Sequence, residues 1–148
     1  GRRALLLGAG GAGSGIALEL LASGVGELAI HDTDPARIDA VRTAAPSADG
    51  AKVHAAPSAD PTGFDLVFNA TPLGMADTDP PPLDVSLLTP AMFVGDVIAG
   101  HGDTPLIAAA KAAGCATASG SDMVAAVQDL MANFFLTPQQ PQRVARRG

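Results

Sequence analysis

Short apolar runs alternate along this chain with stretches of helical periodicity. Ala4–Gly8 is an apolar run of buried-strand type, and Gly13–Ser23 has helical spacing through Ile16, Leu20 and Leu21. Gly24-Val25-Gly26 breaks that helix, and Glu27–His31 reads as a second strand. Asp34 predicts an N-cap with Pro35 at the first helical position, opening a helix to about Thr43. A Pro/Ser/Asp/Gly loop, a short strand near Lys52–Ala55 and a second loop from Pro57 to Gly63 follow. Asp65–Asn69 is a strong strand. Thr71–Pro82 reads as loop, because three consecutive prolines forbid regular structure. Ser86–Leu88 predicts a helical turn, Met92–Ile98 a strand and Ala99–Asp103 a Gly-rich loop. Thr104 then caps a helix from Pro105 to Ala113 closed by Gly114, and Cys115–Ala118 forms a short strand. Ser121 or Asp122 caps a long final helix to about Leu136, stopped by Pro138.

Strands alternating with helices imply parallel pairing through right-handed crossovers. The expected fold is therefore α/β: a Rossmann-type doubly wound parallel sheet of about six strands with helices on both faces. Residues 1–137 are expected to form this one domain, and 138–148 a disordered polar tail. In such a sheet ligands sit beyond the C-terminal strand ends. The ends to inspect are Gly8, His31-Asp32, Asn69-Ala70-Thr71 and Ile98-Ala99.

Composition narrows the function. The chain of 148 residues is 47% hydrophobic with no Trp or Tyr, so its core is built from Leu, Val, Ile and Ala. A net charge of −6 argues against a nucleic-acid surface, which needs a basic stripe. No run of 18 or more apolar residues predicts a membrane span. One Cys and three scattered His exclude an internal disulfide and make a metal cluster unexpected, which fits a reducing, cytoplasmic setting. The chain starts two residues before its first core strand, so a piece of a longer protein is expected.

The first strand runs into Gly8-Ala9-Gly10-Gly11-Ala12-Gly13, with Gly8, Gly10 and Gly13 at the G-x-G-x-x-G spacing. The first glycine permits a tight turn, the second lets backbone approach a pyrophosphate, and the third allows close packing of helix on strand. Unpaired N–H groups at the helix start, with the macrodipole behind them, make an anion site. Asp32 lies 19 positions beyond Gly13, at the end of the second strand. A carboxylate there accepts hydrogen bonds from the adenosine ribose and repels a 2′-phosphate, favouring NAD over NADP. The plainer role for Asp32 is a surface cap, but Asp34 already fills it. Arg37 either reaches a phosphate or the adenine, or is a solvated helix residue.

Three further segments occur in order: Phe68-Asn69-Ala70-Thr71-Pro72-Leu73-Gly74-Met75, Gly95-Asp96-Val97 followed by Thr104-Pro105-Leu106, and Gly120-x-x-Met123. With the glycine turn, they resemble the C-terminal nucleotide-binding domain of the shikimate dehydrogenase family, including its quinate/shikimate branch, from about Ala4 to Leu136. The resemblance implies that Thr71, Pro72, Leu73 and Gly74 pass along the nicotinamide half of the cofactor. It places Val97, Gly120 and Met123 there too, Met123 as an adaptable apolar wall or as core packing. Asp32 stands where NADP-using members carry arginine, and Arg37 follows at the spacing of the NAD-using branch.

Two segments depart from the family. Ala99 and His101 occupy the loop where a tyrosine and a proline are usual. Val127 stands where the last helix carries a substrate-facing glutamine, and Gln128 comes one residue later, rotated by about 100°. The family's catalytic lysine and aspartate lie in an N-terminal substrate domain that has no counterpart here. His31, His54 and His101 are candidate bases by type alone, so no catalytic residue is assigned. The expected function is the NAD-binding half of a dehydrogenase acting on a small hydroxylated cyclic carboxylic acid, as monomer or homodimer. The alternatives are a non-catalytic nucleotide-sensing module and, less consistent with Asn69–Met75, a dehydrogenase of amino acids or folates.

Overall fold

Six strands pair in parallel: β1 (Arg3–Leu7), β2 (Glu27–His31), β3 (Val53–Ala55), β4 (Leu66–Asn69), β5 (Phe93–Asp96) and β6 (Ala116–Ala118). Their order across the sheet is β3-β2-β1-β4-β5-β6. The helices are α1 (Gly11–Ala22), α2 (Pro35–Ala44), α3 (Ser47–Gly50) and α4 (Pro105–Ala112), with a 3₁₀ turn at Val85–Leu87. These come from a computed structural model, which describes residues 1–50, 52–100, 102–120 and 122. The expected final helix with Met123 and Gln128, the polar tail 138–148 and His101 lie outside the described residues.

Alternation along the strands divides the core in two. Ala4, Leu6, Leu28, Ile30, Leu66, Phe68 and Phe93 pack with Ala17, Leu20 and Leu21 of α1 and Ile38 and Val41 of α2. Leu5, Leu7, Ala29, Val67 and Val94 point the other way, against Leu106, Ile107 and Ala110 of α4 with Leu83, Leu88 and Met92. The strands are apolar on both faces because helices cover both, as parallel sheets require.

Local chemistry sets the element ends. Asp34 accepts from the Ala36 N–H (3.0 Å) to start α2, with Pro35 in its first turn. Thr104 does the same for α4 through the Ile107 N–H (3.3 Å). Two expectations are corrected. Residues 47–50 form a short helical turn rather than loop, because the Pro46 carbonyl accepts from Asp49 and Gly50 N–H. β5 stops at Asp96 rather than Ile98, because the Asp96 side chain takes the Ile98 N–H (3.0 Å) out of the ladder.

Register places the strand ends in one row. Leu7 pairs with His31 and with Asn69, and Asn69 pairs with Asp96. Everything that follows these four residues therefore emerges along one edge. Among the described residues, no helix is long and apolar enough to cross a membrane.

Two glycines of α1 should respond oppositely to alanine. A Cβ on Gly13 would lie 2.1 Å from the Gly8 carbonyl oxygen, whereas one on Gly15 meets nothing within 4 Å. Gly15→Ala should stabilise by about 0.5–1 kcal/mol and Gly13→Ala destabilise by about 1–3 kcal/mol. Denaturant unfolding checks the pair; equal shifts would contradict the contact.

Candidate dinucleotide site

β1 gives way to Gly8, whose φ of +85° turns the chain into α1 while its N–H donates to the His31 carbonyl (2.9 Å). Gly13 closes the turn by lying on the Gly8 carbonyl. These two glycines are demanded by the fold itself: one by its left-handed backbone, the other by lack of room. Gly10 and Gly11 are different, since a Cβ on either would meet open space. No protein atom crowds the backbone there, so a ligand group can approach the helix start closely.

The N-terminus of α1 has no side-chain cap at Gly10 and no acidic residue in its first turn. Its leading N–H groups therefore face an exposed edge formed by Gly11 and Ala12. Uncapped donors, the helix dipole and missing side chains fit a pyrophosphate. The dinucleotide fit rests on the donors and the space at this turn.

Asp32 sits beside the turn, one residue beyond β2. Its Oδ2 accepts from the buried Ala9 N–H (2.7 Å) and its Oδ1 from the Asp34 N–H (2.8 Å). The side chain is only 3% exposed, with the Arg37 guanidinium 3.7 Å away. Burial alone would push this carboxyl up, but the two N–H bonds and Arg37 outweigh it and hold it below its ordinary value. Asp32 thus ties the glycine turn to the start of α2, and each oxygen retains a second lone pair. Arg37 is half exposed and lies between Asp32 and Asp34 at the lip of the site.

On the other side of β1, Asn69 ends β4 with no exposed surface. Its Oδ1 accepts from the Thr71 N–H (3.0 Å) and hydroxyl (2.6 Å), and its Nδ2 donates to the Leu73 carbonyl and to Asp96 Oδ1, both 3.2 Å. Thr71 Oγ1 in turn accepts from the Leu73 N–H (3.2 Å). Only a side-chain amide accepts two bonds and donates two at this reach. Pro72 and Leu73 project outward, and Gly74 adopts φ +95°, which a side chain would strain. Asp96 is fully buried; burial holds its carboxyl above the ordinary range against the pull of its Ile98, Thr104 and Asn69 donors.

The sequence-predicted residues divide cleanly. Gly8, Ala9, Gly10, Gly11, Ala12, Gly13, Asp32 and Arg37 come together around the α1 start. Thr71, Pro72, Leu73 and Gly74 form the next loop along the same edge. Val97 and Gly120 meet each other: a Cβ on Gly120 would lie 2.4 Å from the Val97 carbonyl oxygen. Backbone packing therefore demands that glycine, a reason independent of any ligand. Met123 lies outside the described residues. Asn69, Asp96 and Thr104 all stand in the segments that carry the resemblance, but none of them was given a place in the site; their further signal was a polar residue closing each of two apolar strands.

No other described feature competes as a reaction centre. Among the described residues no three His, Cys, Asp or Glu gather to hold a metal. A cleft lined by Arg3, Glu27, His54, Asp60 and Phe64 opens from the start of β1 and β2, away from the glycine turn. Arg3 Nη2 and His54 Nε2 each lie 3.0 Å from Glu27 Oε1, and Asp60 accepts from the Thr62 N–H (2.8 Å). His31 is engaged with the Ala56 carbonyl (3.1 Å).

The two site carboxyls should titrate with opposite effects on stability. Asp32 is lowered, so its contribution is present above its ordinary value of 3.8 and lost as pH falls below it. Asp96 is raised, so its contribution is present below 3.8 and lost as pH rises through its folded value. Urea midpoints should show the parent losing stability relative to Asp32→Asn on acidification, and relative to Asp96→Asn on moving toward neutrality. Parallel profiles for both variants would refute the assignment.

No family model matches the chain. It is 40% identical over 125 residues to a quinate/shikimate dehydrogenase (NAD(+)) of Corynebacterium efficiens, covering 79% of this chain and 43% of that protein. It is 37% identical over 144 residues to a shikimate dehydrogenase (NADP(+)) of Streptomyces avermitilis, covering 94% of this chain and 49% of the relative. The solved quinate dehydrogenase of Corynebacterium glutamicum in complex with NAD superposes with a TM-score of 0.75 at 33% identity, over 90% of this chain and 49% of that one. The chain thus spans about half the length of the relatives it matches. It is homologous to the C-terminal, NAD-binding part of the shikimate/quinate dehydrogenases.

Proposed function

We propose that this chain binds NAD and serves as the cofactor half of a shikimate/quinate dehydrogenase-like oxidoreductase. The observation that carries the reading is the uncapped start of α1, open above Gly10 and Gly11 and clamped to Asp32. Residues 1–137 make the domain in this reading, and 138–148 a polar tail. The relatives whose names carry NAD(+) or NADP(+) support a nicotinamide dinucleotide in general. The preference for NAD rests on Asp32.

When bound, the dinucleotide accepts a hydride from the carbinol carbon of a hydroxylated substrate. The chain's own residues position it. The leading N–H groups of α1 bind the pyrophosphate and Gly10 and Gly11 give it room. The spare lone pairs of Asp32 receive the adenosine ribose hydroxyls, and its negative charge opposes a 2′-phosphate. Arg37, half exposed above Asp32, reaches the adenine side. Thr71, Pro72, Leu73 and Gly74, with Val97, Gly120 and Met123, border the nicotinamide half.

No described residue stands as a base at that end. The resemblance to the shikimate dehydrogenase family implies that the hydroxyl proton is taken by a lysine–aspartate pair in an N-terminal substrate domain, which also holds a small cyclic carboxylic acid such as shikimate or quinate. The full enzyme in this reading is cytoplasmic. A non-catalytic NAD-sensing module would share the fold but lack that partner domain.

By calorimetry, the chain should bind NAD at least about tenfold more tightly than NADP, a gap of about 1.4 kcal/mol. Asp32→Ala should remove most of that gap. Alone, these 148 residues should not turn over shikimate or quinate, whereas the full-length protein should. Tighter binding of NADP by the parent would overturn the cofactor reading, and turnover by the chain alone would overturn the placement of the base.

A further inference from the structure

The two loops on the nicotinamide side share one anchor. Asp96 Oδ1 accepts from Asn69 Nδ2 (3.2 Å) and from the Ile98 N–H (3.0 Å), and Oδ2 accepts from the Thr104 hydroxyl (2.8 Å). Through Asn69 it reaches the Thr71–Leu73 loop, which Asn69 holds by three hydrogen bonds. Through Ile98 and Thr104 it grips both ends of the segment Ala99–Asp103, where Gly100 and Gly102 have φ of +108° and +76°. Gly120 leans on the same place, its Cα facing the Val97 and Ile98 carbonyls with no room for a Cβ.

Keeping a carboxyl wholly buried costs free energy, and a tight apolar side chain would close the sheet there without that cost. The fold itself gives no reason for so many donors to converge on one acid. A reason appears at the loops, because Thr71–Gly74 and Val97 are strung from it at the edge assigned to the nicotinamide ring.

We propose that Asp96 is a positioning residue which, with Asn69, holds the Thr71–Gly74 loop and the Val97–Ile98 turn as one preformed edge for the nicotinamide half of the dinucleotide. The inference rests on the dinucleotide reading above. It adds a division of labour: Asp32 organises the adenosine and pyrophosphate side, and Asp96 organises the nicotinamide side. An edge fixed before binding spares the ordering cost that loose loops impose on a ligand.

The test uses two ligands of different reach, NAD and 5′-AMP, titrated calorimetrically into the chain and its variants. AMP occupies only the adenosine side. Asp96→Ala leaves the Asn69, Ile98 and Thr104 donors without their acceptor; it should weaken NAD about tenfold or more and leave AMP within about twofold. Asp96→Asn should rescue NAD binding, since its amide oxygen accepts the two N–H donors and its NH₂ donates to a reoriented Thr104 hydroxyl.

Asn69→Asp covers the case in which the alanine variant fails to fold. It conserves volume, removes both donors and sets two carboxylates side by side. NAD binding should fall about tenfold near pH 8 and recover toward pH 5 as the pair gains a proton, with AMP binding unchanged throughout. Equal losses for NAD and AMP, or NAD binding as tight as the parent's in both Asp96→Ala and Asn69→Asp, would overturn the positioning role. A parent chain that binds neither ligand would overturn the dinucleotide reading itself, and the positioning role with it.

Discussion

Parallel register at the centre of the sheet is the constraint on which the site depends. β1 is flanked by β2 and β4, and β4 by β5, so His31, Leu7, Asn69 and Asp96 end side by side. Each strand then releases its chain over the same edge. The glycine turn, Asp32, the Thr71 loop and Val97 are neighbours for this reason alone, although up to 89 positions separate them in sequence. A slip of one residue in any pairing would turn each polar strand-end residue to the opposite face.

Two carboxylates organise the halves of that edge by opposite means. Asp32 is covered by Arg37 and fed by two N–H groups, and these outweigh its burial. Asp96 receives comparable donors but is sunk entirely in the sheet, where desolvation wins. The difference lies in the neighbouring cation and in depth, not in the number of hydrogen bonds. The first ties the glycine turn to a helix start. The second ties two loops to one strand end.

Much of the architecture could be read before any coordinates. The apolar runs, the Asp34-Pro35 and Thr104-Pro105 starts and the Gly24 and Gly114 stops marked the six strands of the described residues together with α1, α2 and α4, because they act over a few residues. Boundaries moved where a hydrogen bond outside the regular pattern redirected the backbone. β5 ended two residues early because Asp96 captured the Ile98 N–H, and α3 formed where the Pro46 carbonyl found two donors. The glycine turn, Asp32 and the Asn69–Met75 loop were legible as motifs. The buried joint of Asn69, Asp96 and Thr104 was not, because nothing in a linear pattern says that two strand ends lie in register.

The sequence alone determined the fold class and marked the glycine turn and Asp32, since spacing within a single βαβ unit carries all three. Only the tertiary structure decided which glycines the fold itself demands. Gly13 and Gly120 are glycine because backbone from elsewhere occupies the space of a Cβ, while Gly10 and Gly11 face emptiness. It also decided that Asp32 holds the turn it was expected merely to accompany, and that one buried acid carries the opposite edge. Both outcomes depend on which atoms approach within 3 Å or so across the sheet, and that is settled by packing distant segments together.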